Sequence, residues 1–434
     1  MEVYLERARA QGVRITHVLE THIHADFVSG SRELADRTGA EICLSDEEAA
    51  YGFAHRGLED GDALTIGRVR LRVLHTPGHT PEHVCFVVSG GAGAEQPWGV
   101  FTGDTLFAGE VGRPDLLGEE SAGPLARRLF RSIHGVLLPL GDGLEVLPAH
   151  GKGSPCGARI GDRKRSTLGY ERLHNPRLQT RNAEAFIREV LDTAPEAPTY
   201  YPRMKRLNAG GPKVLGCLPT VQPLDAEAFA RELEREGTLV LDAREIEAWG
   251  GAHIEGSLNI ALREAFPIWA GWLLPPDRRI LLVVERASDV DAIQRHLLRI
   301  GVERLAGYLG GGFRAWTGAG RPFRRAPQMS VHELRDRVQR EPGALQVVDV
   351  RSDAEWEHGR VPGATHAHLP RLEERLDGLD RRRPTAVYCG SGYRASMAAS
   401  LLERAGFDEV RNVPGSMAAW TAAGYPLEGA SDDA

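Results

Sequence analysis

Six side chains of the kinds that bind metal ions lie at four places in the first 150 residues. They are His22, His24 and Asp26, followed by His79, Asp104 and His150. Imidazole nitrogens and carboxylate oxygens are common ligands of zinc and non-haem iron, which polarise substrates or activate water and dioxygen. One such pair is more often a capping or hydrogen-bonding feature, but four places together favour a metal site.

A second candidate for chemistry is a cysteine at the start of a short loop. The loop runs from Cys389 through Gly390, Ser391, Gly392 and Tyr393 to Arg394. The backbone N–H groups of such a loop, with the positive end of a helix expected to begin near Ala395, stabilise a thiolate or a cysteine persulfide. We therefore predict that Cys389 is a sulfur-carrying nucleophile, with Arg394 as a second catalytic residue and the four intervening residues as its cradle.

The remaining cysteines are scattered singly. They are Cys43, Cys85, Cys156 and Cys217. Because no C-x-x-C pair occurs and the total is odd, we expect no disulfide framework. Cys156 lies six residues after His150 on a glycine-rich loop, where it is either a persulfide relay or a packed bystander thiol.

Strand ends are the elements expected to position the metal-binding side chains. The apolar run at 15–20 ends just before His22, and alternating apolar residues from 69 to 73 lead towards His79. Asp104 and His150 each follow a further short apolar run. We expect these strand ends to converge on one shared site.

The second half of the chain contains two copies of one domain. Asp242-Ala-Arg244 recurs as Asp349-Val-Arg351, 107 residues later, and the segment 310–323 recurs at 414–427, 104 residues later. Each copy alternates strand patterns with helix patterns, which predicts a mostly parallel sheet covered by helices on both faces.

The first copy lacks the reactive cysteine. The offset of 104 residues places Glu285 at the position of Cys389, and Val290 at the position of Arg394. A glutamate cannot accept sulfane sulfur, so we predict that this copy is catalytically silent and serves packing, spacing or subunit contacts. This leaves a homo-oligomer open.

We divide the chain into four segments on these patterns. They are a metal-binding domain at 1–195, a linker rich in proline and glycine at 196–217, the silent copy at 218–326, and the active copy at 327–434. The net charge of −7, the mixture of charge signs and the lack of a long apolar run favour a cytoplasmic protein that acts on small molecules. We expect neither nucleic acid nor a membrane as a partner.

The metal-binding motifs, in this order, resemble those of the metallo-β-lactamase superfamily over residues 1 to about 200. The resemblance implies an αββα sandwich. Hydrolytic members usually read His-x-His-x-Asp-His and hold a second metal with the last histidine, where this chain has Phe27. That leaves Asp26, Asp104 and His150 as a poor second set, and we predict one metal ion per chain, bound by His22, His79 and Asp104.

Three segments resemble the persulfide dioxygenase branch of that superfamily. They are HTPGHTPEH (75–83), FTGDTLFAGEVGRPD (101–115) and STLGYERLHNP (166–176). The resemblance implies one Fe(II), a substrate such as glutathione persulfide or a similar thiol persulfide, dioxygen as co-substrate, and sulfite as product. Members of this branch have about two more strands before the helix with which this chain begins, so we expect that part of the domain to be missing from the sequence.

The same resemblance assigns supporting roles. His24, Asp26 and His150 become residues that orient the ligands, or purely structural ones. Arg113 is a candidate substrate contact, with an ion pair to Asp115 or Glu110 as the alternative.

The Cys389 loop, Asp349-Val-Arg351 and the Trp420 segment resemble rhodanese sulfurtransferases over about 327–428. Phosphatase relatives of this fold place one more residue between cysteine and arginine, so sulfur is the better interpretation. Together the two sites predict persulfide oxidation to sulfite, followed by sulfur transfer from Cys389 to give thiosulfate. The alternatives are the reverse order of coupling, a zinc thioesterase resembling glyoxalase II with a rhodanese attached, and a non-catalytic sulfur carrier or persulfide sensor.

Overall fold

The computed structural model describes residues 1–90, 96–157 and 159–429. These residues form two compact units, Met1–Pro219 and Thr220–Ala434. Among the described residues, no helix combines the length and the hydropathy needed to cross a membrane.

The first unit contains two sheets. Its strands are β1 (His17–Leu19), β2 (Glu41–Ser45), β3 (Arg56–Leu58), β4 (Ala63–Ile66), β5 (Val69–His75), β6 (Val84–Gly90), β7 (Gly99–Gly103), β8 (Glu145–Pro148) and β9 (Ser166–Thr167). The first three form a parallel sheet, and β4 to β9 form the other in sequential order. In the second sheet the neighbours are antiparallel except for β7 and β8.

Helices accompany both sheets of the first unit. They are α1 (Glu2–Ala10), α2 (Ser31–Thr38), α3 (Glu119–Arg131), α4 (Leu168–His174), α5 (Pro176–Gln179), α6 (Ala183–Asp192) and α7 (Tyr201–Gly210). A π-helical turn (Ser132–Leu137) and a 3₁₀ turn (Leu138–Leu140) follow α3. The apolar stripe of α3 packs with α6 in the core, where Leu129 and Phe186 are buried.

Strand pairing explains why the strand ends converge. The β5–β6 hairpin pairs His75 with Val84, so the loop between them leaves the sheet at one end. Because β7 runs antiparallel to β6, its last residues lie beside the start of β6, and β8 runs parallel to β7 with Pro148 opposite Gly103. The chain after β5, β7 and β8 therefore meets at a single sheet edge.

The first copy in the second unit is a five-stranded parallel sheet in the order β10-β14-β13-β11-β12. Its strands are β10 (Pro223–Leu224), β11 (Thr238–Asp242), β12 (Leu258–Asn259), β13 (Arg279–Val283) and β14 (Leu305–Leu309). Its helices are α8 (Ala226–Leu233), α9 (Ile246–Gly251), α10 (Phe266–Leu273), α11 (Val290–Arg299) and α12 (Gly312–Gly318), with a 3₁₀ turn at Ala287–Asp289.

The second copy is a four-stranded parallel sheet in the order β16-β15-β17-β18. Its strands are β15 (Gln346–Asp349), β16 (Thr365–His366), β17 (Thr385–Tyr388) and β18 (Val410–Asn412). Its helices are α13 (Val331–Arg340), α14 (Asp353–Glu357), α15 (Leu372–Arg375), α16 (Tyr393–Arg404) and α17 (Ser416–Ala422), with 3₁₀ turns at Leu369–Arg371 and Leu376–Gly378. An isolated bridge between Gln328 and Asn412 lies at the position that β10 occupies in the first copy.

The fold class predicted from the sequence is confirmed, with an αββα sandwich followed by two parallel-sheet α/β copies. The segment 196–217 contains α7, which the absence of a clear apolar period did not predict. The division into four segments drawn from the sequence stays a prediction.

Candidate metal centre and sulfur-transfer loop

Three buried side chains from three strand ends form the candidate metal centre. His22 follows β1, His79 lies in the β5–β6 loop, and Asp104 directly follows β7. Asp104 Oδ2 lies 3.7 Å from His22 Nε2 and 3.4 Å from His79 Nε2, and the three donor atoms lie within 4.8 Å of one another. These are the residues that the sequence grouped as one ligand set.

The donor atoms of this group fit a metal ion because each is buried and has no hydrogen-bond partner among the described residues. The other atom of each ligand is engaged. His79 Nδ1 donates to the Arg113 carbonyl at 2.8 Å, which leaves Nε2 as a lone pair, and Asp104 Oδ1 accepts from His150 Nδ1 at 2.7 Å. His22 Nδ1 bonds the Thr21 hydroxyl at 2.9 Å. Such contacts fix ligand orientation.

Burial and nearby charges favour the protonation states in which these side chains bind a metal ion, which are a neutral imidazole and an ionised carboxylate. Burial, with the nearby imidazoles, lowers the pKa of His22 well below its usual value, and burial also lowers the pKa of His79. Burial opposes ionisation of Asp104, but the charge and hydrogen bond of His150 outweigh it and hold the pKa of Asp104 below its usual range. The site thus offers two neutral imidazoles and one carboxylate.

A second cluster, formed by His24, Asp26 and His150, borders the first. Its donor atoms also lie within 4.8 Å of one another, with His150 Nε2 3.0 Å from Asp26 Oδ2. His150 bridges Asp26 and Asp104, and these two carboxylates raise its pKa well above the usual value despite its burial. The Phe27 ring lies 4.5 Å from the His24 ring and 6.3 Å from the His150 ring, so an apolar face borders this cluster.

His83 ends the HTPGHTPEH motif, but no role was predicted for it from the sequence. Its Nε2 accepts from the Asp104 N–H at 3.0 Å, and its Nδ1 lies 3.0 Å from the Thr76 hydroxyl. Burial lowers its pKa to about 3, so the neutral ring holds the Asp104 backbone. A Cβ at Gly103, whose φ is 51°, would lie 2.4 Å from His83 Nε2, which explains the glycine before Asp104.

Arg113 forms the ion pair that the sequence left open as the alternative to substrate contact. Its Nε and Nη2 donate to the Asp115 carboxylate at 2.9 and 2.6 Å, and Nη1 donates to the Pro155 carbonyl. The side chain is 3% exposed. Arg113 therefore stabilises the loop whose carbonyl orients His79.

Cys156 lies at the edge of the metal centre. Its thiol is within 4.8 Å of donor atoms of Asp104 and His150, and it is buried beside the Tyr201 phenol of α7. Burial, reinforced by Asp26 and Asp104, raises the pKa of the thiol well above its usual value. In this arrangement the thiol is favoured over the thiolate.

The sulfur-transfer loop encloses Cys389 at the start of α16. The thiol is buried, and the N–H of Gly392 donates to its sulfur at 3.1 Å. Gly392 has a φ of 104°, which favours glycine there. The Ser391 and Gly390 carbonyls accept from the N–H groups of Gly415 and Ala418, which hold the loop against the start of α17.

Two residues that the sequence did not single out support this loop. Glu355 forms two hydrogen bonds with Arg394, each 2.7 Å, and the charge of Arg394 outweighs the burial of Glu355 and lowers its pKa to about 2. Glu355 is also the last residue of a capping box with Ser352, a signal visible in the sequence Ser-Asp-Ala-Glu.

Ser416 is the other. Its hydroxyl accepts from the Cys389 N–H at 3.0 Å, donates to the Val413 carbonyl at 2.7 Å, and lies 4.0 Å from the Cys389 sulfur. Its φ of 45° is unusual for a residue other than glycine. Nothing in the sequence predicted this contact, because Ser416 lies 27 residues from Cys389.

The first copy touches the sulfur-transfer loop. The Tyr393 hydroxyl donates to the Ala261 carbonyl at 2.8 Å, and the Arg263 guanidinium lies 5.1 Å from the Tyr393 ring centre. Asn259 is buried and accepts from the Ser396 hydroxyl of α16 at 2.6 Å. The copies therefore share an interface that includes one loop residue.

Comparison with known proteins assigns the parts of the chain to two families. Residues 1–150 match the model of the metallo-beta-lactamase superfamily, and residues 225–319 and 330–423 match that of the rhodanese-like domain. A crystal structure of a metallo-beta-lactamase from Staphylococcus aureus subsp. aureus COL superposes with a TM-score of 0.64 at 35% identity. The match covers 71% of this chain and 88% of that protein.

Sequence relatives of the first unit include proteins with different names. A probable metallo-hydrolase of Burkholderia pseudomallei is 37% identical over 155 residues, which cover 31% of this chain and 51% of the relative. The mitochondrial persulfide dioxygenase of Homo sapiens is 33% identical, covering 41% of this chain and 61% of that enzyme. A hydroxyacylglutathione hydrolase of Rhodospirillum rubrum is 37% identical, covering 29% and 45%. The chain thus spans about half the length of these relatives.

Proposed function

Because the chain belongs to the metallo-beta-lactamase superfamily and carries two rhodanese-like domains, we propose that it oxidises a small-thiol persulfide to sulfite and converts sulfite to thiosulfate. The oxidation would take place at one Fe(II) held by His22, His79 and Asp104. The sulfur transfer would take place at Cys389.

The observation that carries the proposal is a set of three buried donor atoms from two histidines and one aspartate, which have no hydrogen-bond partner in the part of the chain that the structure describes. Two imidazoles and one carboxylate are the ligand set of non-haem Fe(II) oxygenases. The phenyl ring of Phe27 beside the neighbouring cluster supports one metal ion over two. The likeness to the human persulfide dioxygenase agrees with this choice.

Iron(II) held at this site would supply the redox chemistry by which dioxygen oxidises a sulfur anion. Overall, a hydropersulfide, dioxygen and water give the thiol, sulfite and two protons. His150 lies against Asp104 and Asp26 and can hold or release one of these protons, while Arg113 and His83 keep His79 and Asp104 in place.

Sulfur transfer needs no net oxidation. The Cys389 thiolate attacks the outer sulfur of a persulfide, the S–S bond breaks, and the carrier thiol leaves with a proton. Sulfite then attacks the outer sulfur of the Cys389 persulfide, which releases thiosulfate and regenerates the thiolate. The Gly392 N–H and the start of α16 stabilise the negative sulfur at both stages.

Metal content and oxygen uptake test the oxidative half. Protein purified without oxygen should contain about one iron per chain and consume dioxygen with glutathione persulfide. His22→Ala should lose both the iron and the uptake, whereas His174→Ala, on an exposed turn of α4, should lose neither. Two zinc ions per chain, or uptake unchanged in His22→Ala, would overturn the iron assignment.

The product balance of Cys389→Ala tests the coupling. This variant should still consume dioxygen with glutathione persulfide, but it should accumulate sulfite and form almost no thiosulfate. Cys217→Ala, which removes an exposed cysteine, is the matched control and should behave as the parent. An unchanged thiosulfate yield in Cys389→Ala would sink the assignment of sulfur transfer.

One observation favours a second candidate, a zinc hydrolase of thioesters. The His24, Asp26 and His150 cluster has the ligand types of a second zinc site, and the Rhodospirillum rubrum relative is named a hydrolase. This candidate predicts two zinc ions per chain and hydrolysis of S-lactoylglutathione without dioxygen.

A further inference from the structure

One face of α7 lies over the metal centre. Tyr201, Lys205 and Asn208 are four and three residues apart, so they share this face. At one end the Tyr201 phenol lies beside the Cys156 thiol. At the other end Asn208 Nδ2 donates to the carbonyls of His24 and Phe27, each at 2.8 Å. Lys205 therefore lies between Cys156 and the loop that carries the metal-binding histidines.

The Lys205 ammonium is not paired by the side chains around it in the described part of the chain. Its Nζ is buried and forms no hydrogen bond or ion pair with the residues that the structure describes. Burial lowers the pKa of Lys205, although the nearby Glu82 and Cys156 act in the opposite direction. The positive charge of Lys205 in turn helps to lower the pKa of His79, which places this charge near a candidate ligand.

A buried ammonium without a partner is costly, so such a group calls for an anion that the free protein does not supply. The surroundings already hold the carboxylates of Asp26, Asp104 and Glu82. These charges repel an anionic substrate, and the His150 imidazolium that would offset them is already engaged by Asp26 and Asp104. Lys205 supplies a further positive charge next to the metal centre, and no carboxylate among the described residues forms an ion pair with it.

We propose that Lys205 binds the anionic sulfur of the substrate at the metal centre. This inference rests on the proposed function, in which the substrate is a thiol persulfide that reacts as its anion. A contact with the sulfur, rather than with a distant part of the carrier, agrees with the position of Lys205 between Cys156 and the loop of His24 and Phe27. The same contact would hold persulfides of different carrier thiols.

Binding of unreactive thiols provides a test that does not depend on turnover. Glutathione and 2-mercaptoethanol are titrated by calorimetry, without oxygen, into full-length protein loaded with Fe(II). In Lys205→Met both thiols should bind about 10- to 100-fold more weakly, because a charge-assisted hydrogen bond to the sulfur is lost. The KM for glutathione persulfide should rise in parallel, with a smaller change in kcat.

Arg206→Met is the matched control, since Arg206 lies next to Lys205 on α7 but is exposed. It removes the same charge from the chain and should leave both affinities unchanged. Lys205→Met should also keep its iron and unfold at an equal or higher temperature, because it removes a buried ammonium that no described residue pairs.

Three results would overturn the inference. The first is an unchanged affinity of Lys205→Met for both thiols. The second is weaker binding of glutathione alone, which would indicate a contact with the carboxylates of the carrier. The third is a lower unfolding temperature with loss of iron, which would indicate a structural role. Failure of the proposed function is seen separately, as zinc in the parent protein or as no oxygen uptake with persulfide. The thiol affinities of Lys205→Met and Arg206→Met can be compared in either case.

Discussion

The two rhodanese-like copies share a sheet and differ at one loop. In both, the strand before the loop is buried at the centre of a parallel sheet, and an aspartate–arginine pair follows the first long strand. Asp242 and Arg244 repeat the contacts of Asp349 and Arg351, including an arginine bond to a backbone carbonyl. The framework has therefore been kept in both copies.

The loop differs at each position that touches sulfur in the second copy. Cys389 corresponds to Glu285, which is exposed, and Ser416 corresponds to Gly312. Both members of the Arg394–Glu355 ion pair are replaced in the first copy, Arg394 by Val290 and Glu355 by Ala248. A charged partner left alone would be costly, so losing both is less damaging than losing one.

The first copy nevertheless contributes to the sulfur-transfer loop through Ala261, which accepts from Tyr393. It also holds α16 through Asn259, and through His253, whose Nε2 lies 2.9 Å from Glu403. A copy without a nucleophile can thus position the nucleophile of its neighbour.

The largest effect is expected when the second copy receives the first copy's residue at position 394. Arg394→Val should slow thiocyanate formation from thiosulfate and cyanide about 100-fold, because Glu355 then lies half-buried beside Cys389 without its partner. Glu355→Ala in the same protein should restore part of this rate. A rate within about twofold of the parent for Arg394→Val would contradict the role given to the ion pair.

The reverse exchange tests whether a cysteine alone would make the first copy active. Glu285→Cys, made in a Cys389→Ala background, should remain inactive, since Val290 and Ala248 provide no ion pair at the loop. Labelling with a thiol reagent would show that the new cysteine is accessible. Sulfur transfer by this variant would mean that a cysteine on this framework is sufficient.

Ser416→Gly copies Gly312 and should have a smaller effect. The Cys389 N–H loses its acceptor, which should slow sulfur transfer about fivefold through a hydrogen bond worth about 1 kcal/mol. Glycine also relieves the positive φ, so the free energy of unfolding should change by less than about 1 kcal/mol. Denaturant unfolding and the cyanide assay check these two values, and a large fall in both would indicate a structural role alone.

Tyr393→Phe should have the smallest effect of the series. It removes the hydrogen bond to Ala261 but keeps the ring beside Arg263, so sulfur transfer should fall about two- to threefold. Tyr425→Phe, which removes a hydroxyl that contacts His332 in the same copy, is the control and should leave the rate unchanged. Equal rates for both variants would limit the contribution of the first copy to packing.

Motifs and repeats along the chain were enough to find several functional features of this protein. Histidines and aspartates at strand ends grouped His22, His79 and Asp104. The repeat predicted two parallel-sheet copies, and Glu285 at the position of Cys389 predicted that the first is silent. The αββα sandwich was implied by the family resemblance. The fold class is confirmed and the three side chains lie together, since a local motif or a repeat is visible along the chain. Their role as metal ligands and the silence of the first copy stay predictions.

The residues that support those motifs come from distant parts of the chain, and the tertiary structure is needed to identify them. Glu355 reaches Arg394 across 39 residues, and Asn208 holds the His24 carbonyl across 184. Of the roles left open for Arg113, the structure shows the ion pair with Asp115. α7 had no apolar period that predicted a helix, yet it brings Lys205 to the metal centre. Contacts of this kind arise from sheet register and helix docking, which bring together side chains that no local spacing relates.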